Sequence, residues 1–171
     1  MIQCDFQHHP VVFLDIDGVL NHIGCKEETD FLPEAIQMLN ELNKRNCWFV
    51  LHSSWRTAFP LRLIEQELLK HGFQGFLLDK TVEYIGKPEL KSFTWNSLEE
   101  METHPIEEEI LQYIRLYDIK QFLILDDLPF QTPLLSKHQV QTSYFDPKDG
   151  GLSMKHLEQC LKILEKKEEN H

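Results

Sequence analysis

The chain has 171 residues, 42% of them hydrophobic and 26% charged, with a formal net charge of −11. This is the profile of one soluble globular domain that buries its own core, and it excludes disordered, fibrous and disulfide-scaffold classes. A field of that sign repels polyanions, so a nucleic acid partner is handicapped though not excluded.

Met1 to Pro10 have neither the basic start nor the apolar middle of a signal peptide, and no apolar run approaches the ~20 residues that span a bilayer. A cytoplasmic location is expected, with signal-independent secretion left open. Cys4, Cys25, Cys47 and Cys160 are scattered, without a Cys-x-x-Cys pair, and read as free thiols. None has an Arg six positions later, which disfavours a cysteine-based phosphatase.

In chain order, the apolar, partly β-branched run Val11 to Leu14 reads as a buried strand that stops in Asp15-Ile16-Asp17-Gly18. Asn21 to Asp30 is polar and irregular, and Pro33 opens a helix with Ile36, Leu39 and Leu42 on one stripe, ending over Asn43 to Asn46. Cys47 to Leu51 is a second buried strand, running into His52-Ser53-Ser54-Trp55-Arg56. Pro60 starts a helix with Leu61, Ile64 and Leu68 on one face and Gly72 past its end. Phe73 to His104 receives no assigned structure. Pro105 begins a helix with Ile106, Ile110, Ile114 and Tyr117 on its buried side, followed by a third apolar strand, Gln121 to Leu125, that meets Asp126-Asp127. A short strand near Val140 to Tyr144, a turn over Asp146 to Gly151 and a helix carrying Met154, Leu157, Leu161 and Leu164 complete the chain.

Strands alternating with helices indicate an α/β fold with a mostly parallel sheet, because parallel strands require crossovers. Asp and Gly after a single strand are ordinary turn residues. Here, three apolar strands end in Asp15-x-Asp17, Ser53-Ser54 and Asp126-Asp127, and in a parallel sheet those ends share one crevice. Carboxylates from two strands are hard oxygen ligands suited to Mg²⁺, and a hydroxyl from the middle strand can donate to a phosphate. Asp15 is placed to attack phosphorus and form an aspartyl-phosphate, and Asp17 to protonate the leaving oxygen and later activate water. Ser54 reads equally well as a turn or cap residue, Trp55 and Trp95 as structural, and His52 as core or beside the site.

Asp15-Ile16-Asp17-Gly18-Val19-Leu20, Ser53 and Leu125-Asp126-Asp127 resemble the first, hydroxyl and acidic motifs of the haloacid dehalogenase (HAD) superfamily phosphohydrolases. The resemblance spans Val11 to about Leu152. Its closest flavour is that of the small capless members, in multi-enzyme RNA-repair proteins and C-terminal-domain phosphatases. Ser53-Ser54-Trp55-Arg56, Glu109-Ile110 and Gly151-Leu152 look like the first of these. It implies a Rossmannoid three-layer sandwich, Asp15 as nucleophile and metal ligand, and Asp17 as acid/base offering its main-chain carbonyl to the metal. It further implies Ser53, or else Ser54, as the phosphate-binding hydroxyl and Asp126 or Asp127 as the remaining metal ligand, the choice being open. The family's basic residue is missing from the first turn of the helix at Pro105; Lys87 in Gly86-Lys87-Pro88 is the first substitute, followed by Lys91, Arg56 and His104.

One HAD-like domain over residues 1–171 is expected, with Asn21 to Asn46 and Phe73 to His104 as flap or insert regions too small for a large cap. An uncovered site favours an exposed phosphate on a macromolecule. The leading expectation is a Mg²⁺-dependent phosphomonoesterase acting on phosphoprotein, with phosphotyrosine preferred. An RNA or DNA end phosphatase, which predicts a basic groove beside Asp15, and a catalytically weak binding module are the alternatives.

Overall fold

The computed structural model describes residues 5–83 and 105–166. At its centre lies strand β1 (Val11–Leu14), flanked by β2 (Trp48–Leu51) and β4 (Phe122–Asp126), with β3 (Leu77–Lys80) and β5 (Gln139–Gln141) at the two edges. The order is β3-β2-β1-β4-β5, and every pairing is parallel.

The two-residue period of a strand explains why the central runs are apolar throughout. Val12 and Leu14 enter one core with Phe49, Leu51, Leu123 and Leu125, while Val11 and Phe13 enter another with Val50, Phe122 and Ile124. Helices α1 (Pro33–Lys44), α3 (Leu61–Lys70) and α6 (Leu157–Glu165) cover the first face through Met38, Leu39, Leu68 and Cys160. Helix α4 (Pro105–Tyr117) and the short α5 (Pro133–Ser136) cover the second through Ile110, Tyr113 and Leu135. Phe13, Phe49 and Phe122 are among the largest fully buried side chains, each contributing about 1.5–3 kcal/mol of transfer free energy. The expected α/β sandwich with a parallel sheet is therefore observed.

Helix α1 begins at Pro33 as expected, and the chain leaves it through Asn46 in the left-handed region at φ 62°. Among the described residues, three elements lie outside the expected set. They are edge strand β3, the four-residue α2 (Trp55–Ala58) and α5. The last strand ends at Gln141 rather than continuing to Tyr144, because Gly151 N–H donates to the Ser143 carbonyl (2.9 Å) and the chain turns away. The final helix is preceded by a 3₁₀ turn at Met154–His156. No helix among the described residues is long and apolar enough to cross a membrane.

Candidate active site

The register fixes what meets at the carboxyl edge. Leu14 pairs with both Leu51 and Leu125, and the ladder runs one step further: Asp15 N–H donates to the Leu125 carbonyl and His52 N–H to the Leu14 carbonyl, each at 3.0 Å. Asp15, His52 and Asp126 consequently stand side by side although 111 positions separate the first from the last (126 − 15). They open into a cavity of about 700 Å³ whose wall also carries Asp17, Ser54, Arg56 and Asp127.

One carboxylate oxygen from each of Asp15, Asp126 and Asp127 lies within 4.8 Å of the others. Crowding three acids has the expected electrostatic consequence. Burial, then the charge of Asp126, pushes the Asp15 carboxyl well above the usual range, and burial with the same neighbour pushes Asp127 up to about 6. Burial is the largest influence on Asp126 and acts to raise it, but the hydrogen bond and charge of His52, with the hydrogen bonds from Leu128 N–H and Asp127, together outweigh it and hold the group low. Hard oxygen donors that resist sharing negative charge fit a divalent cation, which relieves the repulsion.

The two adjacent acids occupy different environments. Asp126 is 1% exposed, its Oδ2 lies 2.7 Å from His52 Nε2, and its Oδ1 accepts from Leu128 N–H at 2.8 Å. His52 Nε2–H donates to the Asp126 carboxylate, which can only accept, while His52 Nδ1 is buried and unpartnered among the described residues. Asp127 is half-buried on the cavity wall and packs against Gly18, where a Cβ would sit 2.5 Å from the Asp127 Cγ.

The Asp17 carboxylate is not part of the three-acid cluster. Asn21 Nδ2 donates to its Oδ1 at 2.9 Å and Trp55 Nε1–H to its Oδ2 at 3.0 Å. Asn21 is itself fixed, receiving Gly18 N–H on Oδ1 (2.9 Å) and donating to the Glu28 carbonyl (2.9 Å). Only the main-chain carbonyl of Asp17 thus remains for the metal contact that the resemblance implies. Trp55→Phe keeps an aromatic ring, though a smaller one, and removes the donor. Loss of a hydrogen bond to a charged group predicts a kcat about 10- to 100-fold lower with KM little changed, checked by steady-state kinetics; equal kcat would show that Trp55 only packs.

Ser54 is exposed on the cavity wall, whereas Ser53 is buried and its Oγ accepts from Trp55 N–H at 3.3 Å. Arg56 is buried beside them. Its guanidinium donates to the carbonyls of Thr81 (3.1 Å), His52 (2.6 Å) and Ser53 (2.7 Å) and pairs with Glu109 of α4. This cation clamps the ends of β2 and β3 and so is committed to the scaffold rather than offered to a phosphate. Lys87, Lys91 and His104 lie outside the described residues.

Sequence reasoning missed His52, Asn21 and Trp55 as partners of the acids. Asn21 stands four residues after Asp17, a weak local signal. The Trp55 to Asp17 and His52 to Asp126 contacts join segments 38 and 74 positions apart, which no periodicity reveals.

The family model for the HAD domain in Swiss Army Knife RNA repair proteins matches residues 11–157, from the start of β1 to the start of α6. No curated protein matches the chain. A five-stranded parallel sheet with acids converging at its carboxyl edge, matched over most of its length by that model, places this chain in the HAD superfamily of phosphatases, as a small capless member of the family of HAD domains found in Swiss Army Knife RNA repair proteins.

Proposed function

We propose that this phosphatase is a Mg²⁺-dependent phosphomonoesterase that works through an aspartyl-phosphate on Asp15, and that its substrate is a terminal phosphate of RNA. The observation that carries the chemistry is the convergence of Asp15, Asp126 and Asp127 within 4.8 Å beside a separately held Asp17. An Asp15 oxygen attacks phosphorus as the bond to the leaving oxygen breaks, and Asp17 delivers a proton to that oxygen. Water then gives a proton to Asp17 and attacks the same phosphorus, which frees phosphate and restores the Asp15 carboxylate. Asp15, Asp127 and the Asp17 carbonyl would hold a Mg²⁺, which would supply charge neutralisation for the phosphoryl oxygens. Asp127 is the better direct ligand of the adjacent pair because both Asp126 oxygens already have hydrogen-bond partners. Ser53 or Ser54 provides the phosphate-binding hydroxyl, and Lys87 in Gly86-Lys87-Pro88 is the cation proposed for the phosphate.

The family supports the RNA substrate. The basic groove expected beside Asp15 for a nucleic acid is not present among the described residues, where Glu28 and Glu83 line the wall with the acids and Arg56 is committed. A terminal monoester brings a single phosphate to the metal, so an acidic wall opposes a long phosphodiester tract more than a chain end. The net charge of −11 favours the second reading, protein phosphotyrosine.

Parallel phosphate-release assays on a 3′-phosphorylated RNA oligonucleotide and a phosphotyrosine peptide, with Mg²⁺ or chelator, decide between them. The proposal expects Mg²⁺-dependent release from the RNA, holding or rising as salt screens the acidic wall. Release from the peptide alone would overturn the RNA assignment.

A further inference from the structure

The cavity presents a problem of affinity that its aromatic wall addresses. Proteins that grip nucleic acids ordinarily draw binding free energy from Lys and Arg on phosphates. Here the described wall is acidic and its Arg56 is tied to three carbonyls and Glu109. Among the described wall residues, a nucleotide terminus therefore needs a holding contact beyond Arg56, in addition to the phosphate cation assigned to Lys87.

Phe145 stands on that wall and is 78% exposed, far from the burial that a Phe usually attains. Its position is not that of a loose loop tip. Tyr144 packs against it edge to face, with ring centroids 5.2 Å apart at 88°, and the Tyr144 carbonyl accepts from Ile23 N–H at 2.8 Å. The following turn is closed by Asp146, whose Oδ1 accepts from the backbone N–H groups of Lys148 and Asp149 at 3.0 Å each, and by Gly150 N–H on the Asp146 carbonyl at 3.0 Å. A solvent-facing ring in the same cavity as the acid cluster, carried on backbone that is hydrogen-bonded on both sides, is available to receive a flat partner.

We propose that Phe145, buttressed by Tyr144, is the stacking platform for the base of the phosphate-bearing terminal nucleotide. Base stacking on an aromatic ring tolerates any sequence and needs no positive charge, so it supplies affinity where the acidic wall cannot. The proposal rests on the RNA-end reading and adds to it a recognition element: a terminus that carries a base is preferred over one that does not.

Two measurements separate this proposal from the reading beneath it. In the first, kcat/KM is compared for 3′-phosphorylated RNA ending in a normal or an abasic nucleotide. Wild type is expected to favour the normal end by about 5- to 150-fold, Phe145→Ala to bring that ratio towards one, and Phe145→Trp to retain it. In the second, the full-length Asp15→Asn variant, which binds without turnover, is titrated with Mg²⁺ and an oligonucleotide carrying terminal 2-aminopurine. Stacking quenches its fluorescence, and Phe145→Ala in the same background is expected to abolish the quench. Release from RNA with no preference for a base, or binding without a Phe145-dependent quench, overturns the platform and leaves the phosphatase reading standing. A quench without release from any substrate supports the platform and removes the chemistry. A Phe145→Ala defect confined to phosphotyrosine peptides also overturns it, by giving the ring a different occupant.

Discussion

Replacing Arg56 with Met is expected to destabilise the protein by about 3–5 kcal/mol, the cost of breaking a buried ion pair by removing one partner. The guanidinium is nearly buried, and its loss withdraws that cation from the buried Glu109 carboxylate. It also strips donors from the carbonyls of His52, Ser53 and Thr81. Against a typical total of about 5–15 kcal/mol the loss is large, and for a chain of this size it corresponds to a Tm lower by roughly 6–20 °C. Arg56→Lys keeps a charge without the planar fork and is expected to fall between wild type and Met. Thermal melts with Mg²⁺ chelated check this ordering, and a Tm within 2 °C or so of wild type for Arg56→Met would show that the clamp is energetically idle.

Gly18→Ala is expected to weaken the Mg²⁺ requirement's midpoint by about 10- to 100-fold, the scale of effects seen when residues supporting metal ligands are altered. Gly18 sits at φ 83°, a left-handed conformation that costs an L-residue roughly 1–2 kcal/mol. Its missing side chain leaves the space in which Asp127 lies, since a Cβ would come within 2.5 Å of the Asp127 Cγ and 2.7 Å of its Oδ2. The Asp127 carboxylate must move, and it is the less buried member of the acidic pair. Thr142 Oγ1–H donates to the Gly18 carbonyl at 2.5 Å, so the turn has little freedom to yield instead. Mg²⁺ titration of phosphate release measures the effect. An unchanged midpoint would remove Asp127 from the metal ligands.

The parts of the fold legible from sequence were those whose burial writes a pattern. β1, β2 and β4 are covered on both faces and appear as unbroken apolar runs, while Pro33 and Pro105 mark helix starts through their fixed φ. Strand β3 escaped notice because it is an edge strand, in which only Leu77 is buried, Leu78 and Asp79 are half-buried and Lys80 is exposed. Helix α5 has four residues and offers no period to detect. In the site, the acids were legible because pairs of carboxylates end two separate apolar strands that a parallel sheet brings to one edge. The groups that orient them were not: Trp55 and His52 are ordinary residues until the register of β1 with β2 and β4 sets them against Asp17 and Asp126. Arg56 shows the reverse error, since a cation near a hydroxyl motif reads as a phosphate ligand until its carbonyl partners are seen.

The most direct measurement is phosphate release from a terminally phosphorylated RNA oligonucleotide by wild type and Asp15→Asn, each with Mg²⁺ and with chelator. The account predicts release by wild type only when Mg²⁺ is present, and a rate at least about a thousand-fold lower for Asp15→Asn, which lacks the attacking carboxylate. Equal release by the two proteins, or release by wild type undiminished by chelation, would contradict it.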